Sequence, residues 1–234
     1  MSDNSNHNSP YSSEPYTFPA WATMIMRMSA PIALMGAVGA IAIVWYFFSP
    51  KFTDVGYQPS QPVPYSHKLH AGELGIDCRY CHIGVEETAH AQVPPTQVCM
   101  NCHTHIKGAS YDEELGVNPK LAPVMASWEN DLPVAWKRVH KIPDYAFFDH
   151  SRHVNKGVGC VSCHGRVDQM EVVFQDQPLN MAWCLECHRM PEEHLRPLDK
   201  ITAMDYEGGD GFDPVAFKES HNIKPPQDCS GCHR

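Results

Sequence analysis

Every cysteine in the chain belongs to a C-x-x-C pair, and every pair is followed at once by histidine. The five runs are Cys78-Arg-Tyr-Cys81-His82, Cys99-Met-Asn-Cys102-His103, Cys160-Val-Ser-Cys163-His164, Cys184-Leu-Glu-Cys187-His188 and Cys229-Ser-Gly-Cys232-His233. None of the ten cysteines is left over for a disulfide or a free thiol. A C-x-x-C pair alone serves zinc, redox exchange or haem, and the histidine selects the last, because C-x-x-C-H is the attachment sequence of c-type haem. Histidine supplies 15 of 234 residues, so five such placements by chance have a probability on the order of one in a million. Zinc does not require histidine in the same place each time, and redox chemistry wants one site in a βαβ setting. The spacing has a mechanical reason: two thiols on one helical turn reach the two vinyl groups of one porphyrin, and the adjacent imidazole points at the iron. The cofactor set is therefore five covalent haems c, with His82, His103, His164, His188 and His233 as proximal ligands.

Covalent attachment holds a haem with little help from a hydrophobic core, so a short chain can carry many. About 185 residues follow the first apolar segment, and the macrocycles are expected to serve as their core, edged by Trp136, Trp183 and Phe147. Twenty prolines punctuate this part of the sequence and its flanks, which argues for sparse secondary structure. Short helices are expected at the C-x-x-C-H runs. Leu121, Val124, Met125 and Trp128 fit one face of another helix, and Glu171-Val172-Val173-Phe174 fits a short strand.

From Met28 to Phe48 run 21 residues without a charge, about 31 Å of helix, which matches a bilayer hydrocarbon core. Arg27 and Lys51 bracket the run, and Trp45, Tyr46, Phe47 and Phe48 form an interfacial aromatic cluster. Pro31 is expected in the first turn, where its missing N–H costs little. Gly36, Gly39 and Ala40 offer a small-residue stripe to another membrane helix. A cleaved signal peptide would have a shorter apolar region and a small-residue cleavage site. The organisation read from this is a cytoplasmic tail over 1–26, a transmembrane anchor helix over 27–49 and a pentahaem domain over 50–234. The fold class is mainly α with extensive coil: one N-terminal transmembrane helix before a haem-cored multihaem cytochrome domain. Haem attachment in bacteria takes place outside the cytoplasm, so the expected location is the bacterial inner membrane, single-pass, with the haem domain on the periplasmic side. The tail, rich in Ser, Asn and Pro, reads as a segment without its own core.

The first cysteines of successive sites lie 21, 61, 24 and 45 residues apart, so short and long gaps alternate. His67-Lys-Leu-His70 precedes Cys78 and His150-Ser-Arg-His153 precedes Cys160, each after an aromatic residue. The pattern implies duplication of a two-haem unit plus one extra site. Electron-transfer haems usually have both axial positions filled. Two imidazoles three residues apart share a helix face and reach neighbouring haems, so His67, His70, His150 and His153 are expected on four different irons, with His140 as the fifth distal ligand. His90, His105, His194 and His221 are reserves. Met170 and Met181 are the candidate thioether ligands, and His7 precedes the anchor.

The formal charge of −9 excludes nucleic acid as a partner, since phosphate binding needs a basic face. An electron-relaying subunit, not itself catalytic, fits these features. A membrane-anchored multihaem quinol dehydrogenase that oxidises quinol itself is the alternative, disfavoured by the long gap from Phe48 to Cys78. A catalytic multihaem reductase would want an altered attachment site, and all five here end in histidine. A storage role leaves the anchor without a purpose.

The segments Pro64-Tyr65-Ser66-His67-Lys68-Leu69-His70-Ala71-Gly72, Phe148-Asp149-His150-Ser151-Arg152-His153-Val154 and Trp183-Cys184-Leu185-Glu186-Cys187-His188 resemble the pentahaem cytochrome subunit of alternative complex III. The H-x-x-H element by itself is shared more widely with class III cytochromes such as c3 and c7. The resemblance implies a quinol-oxidising respiratory or photosynthetic membrane complex. In it this subunit would take electrons from an iron–sulfur protein and pass them to a monohaem cytochrome, a periplasmic carrier or an oxidase.

Overall fold

A computed structural model describes residues 17–48, 54–209 and 211–233, without the side chain of Phe48. The first sixteen residues, with His7, and residues 49–53, with Lys51, lie outside the described part. Contacts divide the chain into two units, Met1–Ser49 and Pro50–Arg234.

The first unit is one helix, α1, Ala20–Phe48. It starts eight residues before the uncharged run because Ala20-Trp21-Ala22-Thr23-Met24-Ile25-Met26, ahead of Arg27, is itself without charge. At 29 residues it is about 44 Å long, enough to cross a bilayer with a turn or more to spare. Arg27 is thus inside the helix, close enough to its end for the guanidinium to reach an interface. Pro31 also lies inside it and not in the first turn, so the Arg27 carbonyl loses its helical donor. One turn earlier, the Ser29 hydroxyl donates to the Met26 carbonyl at 3.0 Å. A Cβ on Gly36 or Gly39 would meet nothing within 4 Å, so the small-residue stripe is uncovered.

The second unit is built from short helices strung on irregular chain: α2 Cys78–Cys81, α3 Thr96–His103, α4 Ala122–Glu129, α5 His150–Val154, α6 Val161–His164, α7 Met181–Arg189, α8 Pro214–Ser220 and α9 Cys229–Cys232. Five of them carry the C-x-x-C-H runs. The α4 helix is the amphipathic one expected around Leu121–Trp128, with Val124 buried. Among the described residues there is no strand, only three isolated bridges. Glu171–Phe174 is not a strand: the one paired contact here, Gly56 N–H to the Gln175 carbonyl and Gln175 N–H to the Tyr57 carbonyl, lies just beyond it and is too short to seed a ladder.

Side-chain burial is scant. One apolar cluster, Val63, Met100 and Val124, packs with Cys99, Met125, Val134 and Trp136. A conventional core for a unit of this length would bury many more large apolar side chains. Phe147 is half exposed and Trp183 half buried. Most of the order comes from capped turns, which place the cysteines and histidines.

Candidate haem-binding sites

The sites are numbered in chain order, the first at Cys78–His82 and the fifth at Cys229–His233. Polar caps start the turns that hold three of them. The Asp77 carboxylate accepts the Arg79 N–H at 2.8 Å, Asn180 accepts the Trp183 N–H at 3.0 Å, and Asp228 accepts the Gly231 N–H at 3.0 Å. A side chain that accepts from the first turn fixes where the helix begins, and so fixes the direction of the two thiols. The Arg79 hydrogen bond holds the Asp77 carboxyl down at about 2. In the third site Gly165 follows α6 at φ 64°, a left-handed conformation that glycine adopts without strain.

The two H-x-x-H segments have one geometry. The first begins at His67 and continues as a π-helical turn, Lys68–Glu73, closed by Leu74 N–H to the Leu69 carbonyl; π turns of this kind are frequent at functional sites. The second is α5, started by Asp149, whose carboxylate accepts the Ser151 N–H at 2.9 Å. Tyr65 meets His67 edge-on at 4.8 Å and stacks on His70 at 4.4 Å. Phe148 meets His150 edge-on at 4.7 Å and stacks on His153 at 4.6 Å. One aromatic ring thus orients both imidazoles in each repeat.

Three of those four imidazoles face histidines of the C-x-x-C-H runs. His70 lies 6.2 Å from His103, His150 lies 6.4 Å from His164, and His153 lies 6.1 Å from His188, measured between ring centres. An iron with an imidazole on each face, bonded at about 2.0 Å to rings of about 1.2 Å radius, sets the ring centres about 6.4 Å apart. The residues present therefore fit haem iron. The two histidines of α5 face the histidines of two different C-x-x-C-H runs. Among the described residues no group of three or more His, Cys, Asp or Glu converges as a metal site, whereas a structural zinc needs four ligands.

Nearly all of these histidines donate their Nδ1 proton to a backbone carbonyl. His82 donates to Gln92 at 2.7 Å, His103 to Ile106 at 2.8 Å, His188 to Pro226 at 2.7 Å and His233 to Tyr145 at 3.1 Å. His70 donates to Ser66, His150 to Ala89 and His153 to Asp149, each at 2.8 Å. Such a bond fixes the tautomer and leaves Nε2 bare for a metal. Burial, followed by neighbouring histidines, pushes His164 down to about 3 and His67 to about 4, which keeps the ring in the neutral, ligating form. His67 has a buried Nδ1 with no partner among the described residues.

His140, expected as a distal ligand, lies against His164. Its ring centre is 4.3 Å from that of His164, too close for an iron between them, and its Nε2 lies 3.3 Å from the His164 Nδ1. It takes the place that a backbone carbonyl has behind the other axial histidines. The nitrogen that would bind iron is the one engaged. Burial lowers His140 to about 4, so it stands there as a neutral ring.

His221, a reserve by sequence, repeats the setting of His70 and His153. Its Nδ1 donates to the Phe217 carbonyl four residues back at 3.0 Å, and its ring stacks on Phe217 at 3.9 Å. It stands eight residues before Cys229, as His70 stands eight before Cys78. That spacing was the available signal. Met170 is buried after the 3-10 turn Val167–Gln169, and Met181 is exposed at the start of α7.

Residues 152–234 match the family described as cytochrome c3. This part of the chain is a cytochrome c3-type multihaem domain. The chain is also similar to the menaquinone reductase multiheme cytochrome c subunit of Nitratidesulfovibrio vulgaris, with 30% identity over 131 residues, 56% of each protein. Cytochrome c-552 of Maridesulfovibrio salexigens is 24% identical over 192 residues, 65% of this chain and 38% of that one. The chain thus spans about half or less of the curated relatives it matches. The cytochrome c3 match takes in the third, fourth and fifth C-x-x-C-H runs.

Proposed function

We propose that the chain is the electron-relaying subunit of a quinol-oxidising membrane complex of the alternative complex III kind, carrying five haems c. Bound haem supplies reversible one-electron exchange at iron. The observation that carries the reading is the set of three imidazole pairs, 6.1–6.4 Å apart, which close both faces of an iron and leave no position for substrate. In this reading Cys78, Cys81, Cys99, Cys102, Cys160, Cys163, Cys184, Cys187, Cys229 and Cys232 form the thioethers, with His82, His103, His164, His188 and His233 as proximal ligands. His67, His70, His150 and His153 are distal ligands. His140 leaves the ligand set, and His221 is the candidate for the fifth distal position.

The α1 helix anchors the chain in the cytoplasmic membrane with the haem domain outside. The relative from Nitratidesulfovibrio is by its name one subunit of a menaquinone reductase, which supports a place beside other subunits. The donor is an iron–sulfur protein, and the acceptor is a monohaem cytochrome, a periplasmic carrier or an oxidase. The test is quinol reduction of the isolated chain in detergent. It should be far slower than turnover of the complex, and adding the other subunits should restore it. Rapid quinol oxidation by the isolated chain, blocked by an inhibitor of quinol sites, would establish the self-sufficient quinol dehydrogenase instead.

A further inference from the structure

We infer that the five haem sites form one unbranched row in the order second, first, third, fourth, fifth, so that the second and fifth sites are its open ends. This deepens the relay reading above and rests on it. The row does not follow chain order, and each of its four junctions is built from named contacts.

The second and first sites meet through their own loops. The Asn101 amide, inside the second run, donates to the Tyr80 hydroxyl, inside the first, at 2.9 Å. Cys81 lies within electrostatic range of Cys99 and Cys102. His67 and His70 share one turn, and His70 faces His103 of the second site.

The first and third sites join the two repeats. Cys78 and Cys160 are close enough for each thiol to shift the acidity of the other. A single dipeptide clamps this junction from outside: the Ile201 carbonyl accepts the Cys160 N–H at 3.1 Å, and the Thr202 hydroxyl donates to the Asp77 carboxylate at 2.8 Å. On the other side, Ala89 and Thr88, in the loop after the first site, accept from His150 Nδ1 and the Ser151 N–H. Because each thiol would bond a vinyl group at the porphyrin edge, two neighbouring first cysteines would place two macrocycle edges side by side.

The third and fourth sites are joined by α5, whose His150 and His153 face His164 and His188, with Cys163 in range of Cys187 and Cys184. The fourth and fifth sites are joined by the segment before α9. The Pro226 carbonyl accepts from His188 Nδ1 at 2.7 Å, the Gln227 amide donates to the His188 carbonyl at 3.3 Å, and Cys184 is in range of Cys232. Among the described residues no hydrogen bond joins Cys99–His103 to the third, fourth or fifth site.

Exposure agrees independently. Of the ten cysteines only Cys102 and Cys229 are exposed, and they belong to the second and fifth sites. Electron donor and acceptor proteins therefore meet the chain at these two ends, and the first site, despite coming first in the chain, is interior.

The test uses the haem-loaded full chain in detergent, with haem counted first by mass after denaturation. A count below five would refute the relay reading itself, separately from the order. The variants His70→Met and His150→Met place a thioether opposite His103 and His164, which raises the potential of that one haem so that it is reduced before the rest. Electron paramagnetic resonance then shows which remaining ferric haems lose a paramagnetic neighbour. Reduction of the marked haem should alter one other signal in His70→Met and two in His150→Met. Two altered signals in the first, or one in the second, would overturn the order. Should a variant fail to load haem, the iron positions in an experimental structure of the loaded wild-type chain decide the same point: first and third irons far apart would refute it.

Discussion

Replacing His153 by alanine tests how a histidine turn is shared between haems. The substitution removes one of two imidazoles whose centres are 6.1 Å apart. It also deletes the 2.8 Å hydrogen bond to the Asp149 carbonyl and the 4.6 Å stack on Phe148. The hydrogen bond is worth about 1 kcal/mol and the aromatic contact about 0.5–1.5 kcal/mol, so the loss is about 2 kcal/mol before any contribution from the metal bond. In a domain of this size that corresponds to a melting temperature lower by about 4–8 °C. Covalent attachment at Cys184 and Cys187 is untouched, so haem content stays the same. One haem of the five should become high-spin in the ferric protein, and in the ferrous protein one should bind carbon monoxide. His150→Ala should open a different haem, and the double variant should show two. The assay is electron paramagnetic resonance quantified against total haem, read alongside the melting curve. If the double variant shows no more high-spin haem than either single one, His150 and His153 serve the same iron, and the pairing with His164 and His188 is wrong.

The other predictions concern groups around the ligands. His140→Leu should leave every haem low-spin, because its Nε2 faces His164 and not a metal. It should raise the midpoint potential of one haem, since an imidazole whose Nδ1 proton has no acceptor donates less to iron; His140→Gln, which keeps an acceptor, should largely restore it, and a new high-spin signal in either variant would return His140 to the ligand set. Gly72→Ala should destabilise the haem domain by about 1–3 kcal/mol, the usual cost of overpacking, because a Cβ there overlaps the Asp168 carbonyl that packs on the His70 turn. Denaturant unfolding within 0.5 kcal/mol of wild type, a threshold of about the size of ordinary surface substitutions, would show that the turn can move away freely.

Motifs whose meaning is local were fully legible. C-x-x-C-H works through five consecutive residues, so Cys78–His82 and its four counterparts could be read without any fold. The H-x-x-H turns were legible because three-residue spacing on a helix places two rings on one side, and Tyr65 and Phe148 stand before them at matching positions. The apolar helix followed from composition alone, although its start at Ala20 did not, since the charge of Arg27 interrupts the uncharged run. The caps at Asp77, Asn180 and Asp228 carried a signal in the sequence that marks where each attachment turn begins.

Sequence by itself therefore determined how many C-x-x-C-H runs the chain carries, which cysteines pair within them and which imidazole follows each pair. Which imidazoles face one another was decided by tertiary structure, because His70 and His103, or His153 and His188, are far apart in the chain and meet only when separate turns pack. His140 shows the limit most plainly: its residue type and burial suit a ligand, and only the 3.3 Å contact with His164 makes it a supporting acceptor. The order of the row is likewise tertiary. Cys78 and Cys160 sit in different repeats, and nothing in either motif states that the two turns lie side by side. It takes Ile201 and Thr202, from a third stretch of chain, to bring the two edges together.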